Sequence, residues 1–326
     1  MRLFVRRIGF YLVAAVAAVT LDFFIPRMVP GDPVLTALAQ LRGAVPPQAL
    51  KAIQLQYGEG SNQGLWGQYL HFWNMILHGN LGLSMSSGQV PVTHVIAQHL
   101  YWTVVLVGLA TVISFVVGTA VGTLAAWKRG SWLETLLPVT TFLQAMPYFF
   151  LATLLVLVFS VHLKWFPAIN GYDYLNSTIG FNWNFIKDAV YHGMLPALTI
   201  VGASLAGWII GMRNMVVTVR DEDYVLLAEA EGLPQRRVVW YAARNAVLPQ
   251  VSSFAMALSF VVGGSVLTEI VFSYPGIGFI LLSAVKSLDY SLVQGIFLVI
   301  TMVVLAANFV ADLVYVALDP RTRQEA

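Results

Sequence analysis

The chain has 326 residues, of which 58% are hydrophobic and only 10% charged, with a formal net charge of +2. Soluble domains carry about 25% charged residues, so the composition argues against an ordinary soluble enzyme and for a helical membrane protein. There is no cysteine, which excludes disulfides, thiol catalysis and cysteine metal sites. No G-x-x-x-x-G-K-[ST] stretch is present to cradle ATP in a P-loop.

Arg2, Arg6 and Arg7 precede an apolar run from Ile8 to Val29. A signal peptide is the competing reading, because Ala15-Val16-Ala17 resembles a small-residue cleavage site. The run continues beyond it, and about 20 residues span a bilayer, so residues 1–29 are expected to be an uncleaved transmembrane helix. Asp22, toward its far end, is expected to face water or a helix partner. A polar insert, 30–99, follows; it opens on Pro30-Gly31-Asp32-Pro33 and contains Gly79-Asn80-Leu81-Gly82-Leu83-Ser84. Turn chemistry accounts for these prolines and glycines locally. Short helices are expected over Gln48–Gln56 and Gln68–His78.

Residues 100–318 form the expected five-helix core. Its spans are read at about Tyr101–Trp127, Trp132–Val161, Met194–Met212, Pro249–Phe272 and Leu292–Leu318, with a tail at 319–326. The fold class is therefore an all-α integral membrane protein with six transmembrane helices and an external insert after the first. Six spans put both termini on one side. One set of loops carries 12 Lys and Arg residues and the other 6, so the richer side, with both termini, is expected in the cytoplasm. Gly118, Gly122, Gly263 and Gly264 suit close helix packing.

The longest charged stretch is 220–249. Arg220 is followed there by the acids Asp221, Glu222, Asp223, Glu229 and Glu231, and these by Arg236, Arg237 and Arg244. It reads as helix–turn–helix: acids suit the positive helix N-terminus. Gly232 suits the left-handed residue ending the first helix, and Pro234 can open the second. A solvated loop or a helix lying on lipid is the plainer reading.

Taken together, these segments resemble the permease subunits of ABC importers, in particular the peptide/nickel branch. The loop Asp223-Tyr224 through Ala228-Glu229-Ala230-Glu231-Gly232 to Leu248-Pro249 is similar to that family's EAA loop. The PGDP at 30–33 and the G-N-L-G-L-S at 79–84 are similar to its external segments, as are Glu269, Phe272 and Pro275-Gly276-Ile277-Gly278, and the ending Leu318-Asp319-Pro320-Arg321. The resemblance implies that the 220–248 loop forms coupling helices seated in an ATPase subunit. It also implies a second related permease, two ATP-binding cassette subunits that bind the ATP, an external solute-binding protein and a cell-membrane location. The chain itself is expected to hold no cofactor and no metal and to be no enzyme; nucleic acid is not among the expected partners. Many relatives carry basic residues near the coupling glycine, where Glu229 and Glu231 stand here.

The histidines, His71, His78, His94, His99, His162 and His192, form no compact ligand cluster. Few ionisable residues lie within the spans, which argues against a proton-coupled carrier. A secondary transporter, with internal repeats and broken helices, is the second reading, and a membrane-embedded enzyme the third. Cargo stays open between peptides, oligosaccharides and nickel; Trp66, Trp73, Trp165, Trp183 and Tyr172 could stack on sugars.

Overall fold

The computed structural model describes residues 2–28, 64–128, 130, 132–259 and 266–318. In chain order, α1 is Arg2–Met28 and α2 is Leu65–Leu77. A small antiparallel hairpin follows, β1 Leu83–Ser84 paired with β2 Val90–Pro91. Next come α3 Val92–Trp127, α4 Trp132–Ala145, and α5 Tyr148–Leu155, which runs on as a π-helical segment Val156–His162. The remainder is α6 Trp183–Arg220, α7 Asp223–Ala230, α8 Gln235–Ala246, α9 Leu248–Ser259, α10 Val266–Val271, α11 Ile277–Lys286 and α12 Tyr290–Leu318. Among the described residues the chain is all-α apart from the hairpin.

Among the described residues four helices are long and apolar enough to cross a membrane, within α1, α3, α6 and α12, and a bent pair makes a fifth. The expected span after Pro249 is α9; residues 260–265, with Gly263 and Gly264, lie outside the described residues. So do Pro30–Pro33, the helix expected over Gln48–Gln56 and the tail at 319–326.

Three expectations are revised. The helix α3 begins at Val92, inside the expected insert, and α6 begins at Trp183 rather than Met194. At 36 and 38 residues, these helices would run on the order of 55 Å at 1.5 Å per residue, far beyond a hydrocarbon core of about 30 Å. Hydropathy marks only the part in lipid, so it underestimated both. The third revision is the span expected over 132–161, which is bent by 109° between α4 and α5. Pro147 stands at the bend as the residue before α5. It has no N–H to continue α4, and it disfavours helical backbone at Met146.

The chain divides into two compact units. The first comprises Met1–Trp102 and Pro275–Leu305. Its core joins Val92, Val95 and Ile96 of α3 to Ile277, Ile280 and Ala284 of α11 and to Leu292 and Ile296 of α12. At Gly295 the α12 backbone approaches Val92 so closely that a β-carbon would collide with it. Asp22 is buried and not water-facing, and its backbone carbonyl accepts from Gln294 Nε2 at 3.1 Å.

The second unit is Thr103–Tyr274 with Ala306–Ala326. There α6 is the central element, packed by α4, α5 and α8. It meets α3 at Gly118 and Gly122, where a β-carbon would strike Trp208 Cβ and the Ile209 carbonyl respectively. These glycines thus serve packing, as expected from small residues one turn apart on facing helices. The Ser204 hydroxyl donates to Ser114 Oγ at 2.9 Å across the same contact. Phe115 adds an edge-on contact to Trp208, with ring centroids 5.2 Å apart.

The α3–α6 contact makes a direct test. Gly122→Val must push α6 away and is expected to destabilise the protein by about 1–3 kcal/mol, lowering the thermal midpoint in detergent followed by size-exclusion chromatography. Gly108→Ala, where a β-carbon meets nothing within 4 Å, is expected to leave it unchanged. Equal midpoints for the two variants would contradict the packing role.

Candidate functional site: a helical hairpin and a buried carboxylate latch

The helical hairpin α7–α8 lies in the charged stretch. The backbone nitrogens of Val225 and Leu226 bond the Glu222 carbonyl at 2.9 and 3.2 Å, which opens α7. The helix ends in a Schellman closure. Gly232 is left-handed with φ +73°, its N–H donates to the Glu229 carbonyl at 3.0 Å, and the Leu233 N–H donates to the Ala228 carbonyl at 3.2 Å. No atom lies within 4 Å of a β-carbon built on Gly232, so glycine is required here by backbone angle and not by space. Pro234 stands just before α8 rather than as its first helical residue.

Val225 and Ala228 of α7 are buried against Val238 and Ala242 of α8, with Trp127, Val219 and Leu233 around them. Trp127, at the end of α3, donates its indole N–H to Gln235 Oε1 at 2.8 Å, and the Arg220 guanidinium lies 5.1 Å from its ring centre. Sequence reasoning missed this tie. Its only readable signal was an aromatic next to the basic turn Lys128-Arg129. Leu248 and Pro249 form the first turn of α9, directly after α8.

The outward side of the hairpin is apolar with a charged rim. Leu227 is 60% exposed and Trp240 66%; Tyr224, Leu226 and Tyr241 are exposed as well. Glu229, Glu231, Arg236, Arg237 and Arg244 are exposed beside them. Large exposed apolar side chains rimmed by charge mark a face suited to a protein partner or a membrane surface.

The external motif residues fall in two places. In the first unit, Gly79 is left-handed with φ +68° and closes α2, with the Asn80 N–H donating to the Met75 carbonyl at 2.9 Å. Gly82 is left-handed too, and its N–H donates to Asn80 Oδ1 at 3.0 Å. The chain then enters the β1–β2 hairpin, where a buried carboxylate holds it. Asp289 Oδ2 accepts from the hydroxyls of Ser84 and Ser86, each at 2.7 Å, and from the Ser86 N–H at 2.9 Å. Asp289 Oδ1 accepts from the Leu292 N–H at 3.1 Å, which caps α12. Ser84 and Asp289 are both buried. Asp289 was not singled out from the sequence, although an aspartate just before an apolar run is a readable helix-cap signal.

Pro275 and Gly276 precede α11, with Gly276 at its cap, and Gly278 is buried in its first turn. Glu269 belongs to the second unit, is fully buried and sits in α10. That helix closes on Ser273, left-handed with φ +45°, with the Tyr274 N–H donating to the Glu269 carbonyl at 2.8 Å. An open concavity of about 740 Å³ lies along α4, lined by Leu137, Pro138, Thr141, Phe142, Ala145 and Arg213. Arg213, read from the sequence as a loop residue, lies inside α6. Among the described residues no group of three or more His, Asp or Glu side chains is placed to hold a metal. Trp165 packs on Phe159, and Tyr172 on Tyr174 and Phe185.

Several apolar spans define a multi-pass membrane protein, and the charged hairpin gives it an exposed apolar face. The family model described as "Binding-protein-dependent transport system inner membrane component" matches residues 118–324, and the chain belongs to that family. The dipeptide transport system permease protein DppB of Escherichia coli (strain K12) is 33% identical, with 98% of each chain aligned. The di/tripeptide permease DppB of Pseudomonas aeruginosa (strain UCBPP-PA14) is likewise 33% identical over 98% of both chains. The oligopeptide permease AppB of Bacillus subtilis (strain 168) is 30% identical over 92% of each. The chain is therefore an ABC importer permease, a component that works with ATPase and binding-protein partners.

The latch is testable on its own. Asp289→Ala strands a buried hydroxyl and an N–H and removes the α12 cap, a loss of at least about 2 kcal/mol. Faster hydrogen exchange at the amides of 84–91 is expected, with Asp289→Asn intermediate. Unchanged protection in Asp289→Ala would rule the latch out.

Proposed function

We propose that this chain is the membrane half-path of an ATP-driven importer of di- or oligopeptides. The observation that carries the cargo class is the near end-to-end match to permeases named for dipeptides, di/tripeptides and oligopeptides. In this reading a second related permease completes the path, two ATPase subunits bind and hydrolyse ATP, and an external binding protein delivers the peptide. The chain performs no chemical step and holds no cofactor. Asp223, Tyr224, Ala228–Gly232, Leu248 and Pro249 act as the ATPase-coupling element. The external motif residues shape the outer mouth. Closing of the ATPase pair drives α7–α8, and the attached helices rock so that the path faces alternate sides.

The coupling role is supported by the shape of the hairpin: a small closed core, an exposed apolar face and a glycine fixed by backbone angle. Any side chain at Gly232 costs about 1–2 kcal/mol. That is too little to unfold the bundle but enough to re-aim a short helix. Gly232→Asp is expected to insert and express normally while peptide transport falls steeply and ATP hydrolysis no longer answers to loaded binding protein; Gly232→Ala is milder. Normal transport by a reconstituted Gly232→Asp complex with stimulated hydrolysis intact would refute the role.

Orientation follows from the Lys and Arg asymmetry, with both termini in the cytoplasm. The native chain contains no cysteine, so single cysteines report cleanly. Leu175→Cys, at a position 94% exposed, is expected to react with an impermeant maleimide in intact cells. Arg236→Cys is expected to react only after permeabilisation. The opposite pattern would invert the assignment.

A further inference from the structure

We infer that α2 is an interfacial helix whose outward apolar stripe lies in the external leaflet of the bilayer. The helix carries no Asp, Glu, Lys or Arg, and its surface divides into three sectors. The first sector grips α1: Tyr69 and Phe72 pack on Phe23 with ring centroids 5.3 and 5.5 Å apart, and Thr20 Oγ1 and Tyr69 Oη share a hydrogen bond of 2.8 Å. Phe23 is fully buried by this contact.

The second sector is Trp66, Leu70, Trp73 and Leu77, spaced i, i+4, i+7 and i+11, which places them on one helical stripe. Trp66 is 70% exposed, Leu70 52% and Leu77 76%. The third sector is polar and also exposed: His71, Asn74 and His78.

The contact with α1 fixes what covers the apolar stripe. α1 is a membrane span, and α2 is clasped to its residues 20–24, within the last two turns before Met28. This is the level at which a span leaves the hydrocarbon. There a helix with one apolar and one polar free sector settles with the apolar side in the acyl boundary and the polar side in water, and tryptophan favours that depth. Leu21, Ile25 and Met28, at the same end of α1, are apolar and exposed as well. Because the helix is uncharged, its seating rests on apolar burial and requires no anionic lipid. The consequence is positional. α2 leads through the Gly79 closure into the hairpin held by Asp289, so the membrane surface sets the height of that hairpin. The inference does not depend on the cargo.

Site-directed spin labelling of the full complex tests it. Single cysteines replace Leu70, Leu77 and Trp66 on one side and His71, Asn74 and His78 on the other, in liposomes of pure phosphatidylcholine. Collision rates with oxygen, which concentrates in lipid, and with a water-soluble nickel chelate are then compared. High oxygen and low nickel access at 66, 70 and 77, reversed at 71, 74 and 78, is the expected result. Nickel access at 70 and 77 equal to that at 74 would overturn the inference, because the stripe then faces water. Protection of 70 and 77 from both reagents would also overturn it and assign the stripe to a protein partner. Addition of the binding protein would then tell whether that partner is the binding protein or the second permease. Leu70 and Leu77 are surface positions whose replacement leaves the α1 contact intact. A bimane label there, quenched by phospholipid brominated on its acyl chains, gives a second readout that fails if no lipid is in contact.

Discussion

A helix leaves its last four carbonyls without an intrahelical partner, and each end needs a form that satisfies them. This protein meets that demand repeatedly with one device. α2, α7, α10 and α11 each close with a left-handed residue and a hydrogen bond returning across it, to Met75, Ala228, Glu269 and Ala284 respectively. Each closure turns the chain sharply without leaving its last carbonyls open. Gly79 and Gly232, which the sequence marks within motifs, are in physical terms helix stops.

The consequence for function is rigidity over short pieces. α7 and α8 are too short to be stable alone in water. Their shared core is four small-to-medium residues, and it is extended by Trp127, Val219 and Leu233 from neighbouring elements. α6 reaches Arg220 as one helix, and α7 begins only a turn later. In the coupling role proposed above, a push on the hairpin passes to α6 with little slack and, where Gly118 and Gly122 bring the α3 backbone onto α6, to α3 as well. The exposed Leu227, Trp240 and Tyr241 on this hairpin form the kind of face that marks an interaction site.

Much of this was legible in the sequence where one residue type does one physical job. Gly232 and Gly79 were readable because glycine takes the left-handed conformation without strain. Gly118 and Gly122 were readable because only small residues let helices touch. Ser273 and Leu288 hold the same left-handed conformation, at φ +45° and +52°, and gave no signal, since neither side chain favours it. Asp289 was invisible as a latch because its partners Ser84 and Ser86 lie some two hundred positions away in sequence. The true lengths of α3 and α6 were hidden because hydropathy reports the solvent and not the hydrogen-bond ladder. The break at Pro147 was hidden for the opposite reason: the apolar run continues through it.

That break bears on the class of transporter. Secondary carriers also interrupt spans, and they use the freed backbone and nearby acids to hold a coupling ion. Here the broken stretch from Leu137 to His162 contains no Asp, Glu, Lys or Arg. The broken stretch therefore brings no charge of its own to the bend, although Arg213 of α6 lines the concavity beside α4. What the chain has instead is a charged hairpin joined directly to its central helix. In an ion-driven carrier the driving free energy enters at the middle of the membrane, so the acids belong there. In an importer driven by a soluble ATPase it enters from the water, so the charged residues belong on the lever, where this chain concentrates them. The broken span keeps an apolar sequence on both sides of its bend. It bends at Pro147 because no N–H is available there to straighten it, and it needs no ion to do so.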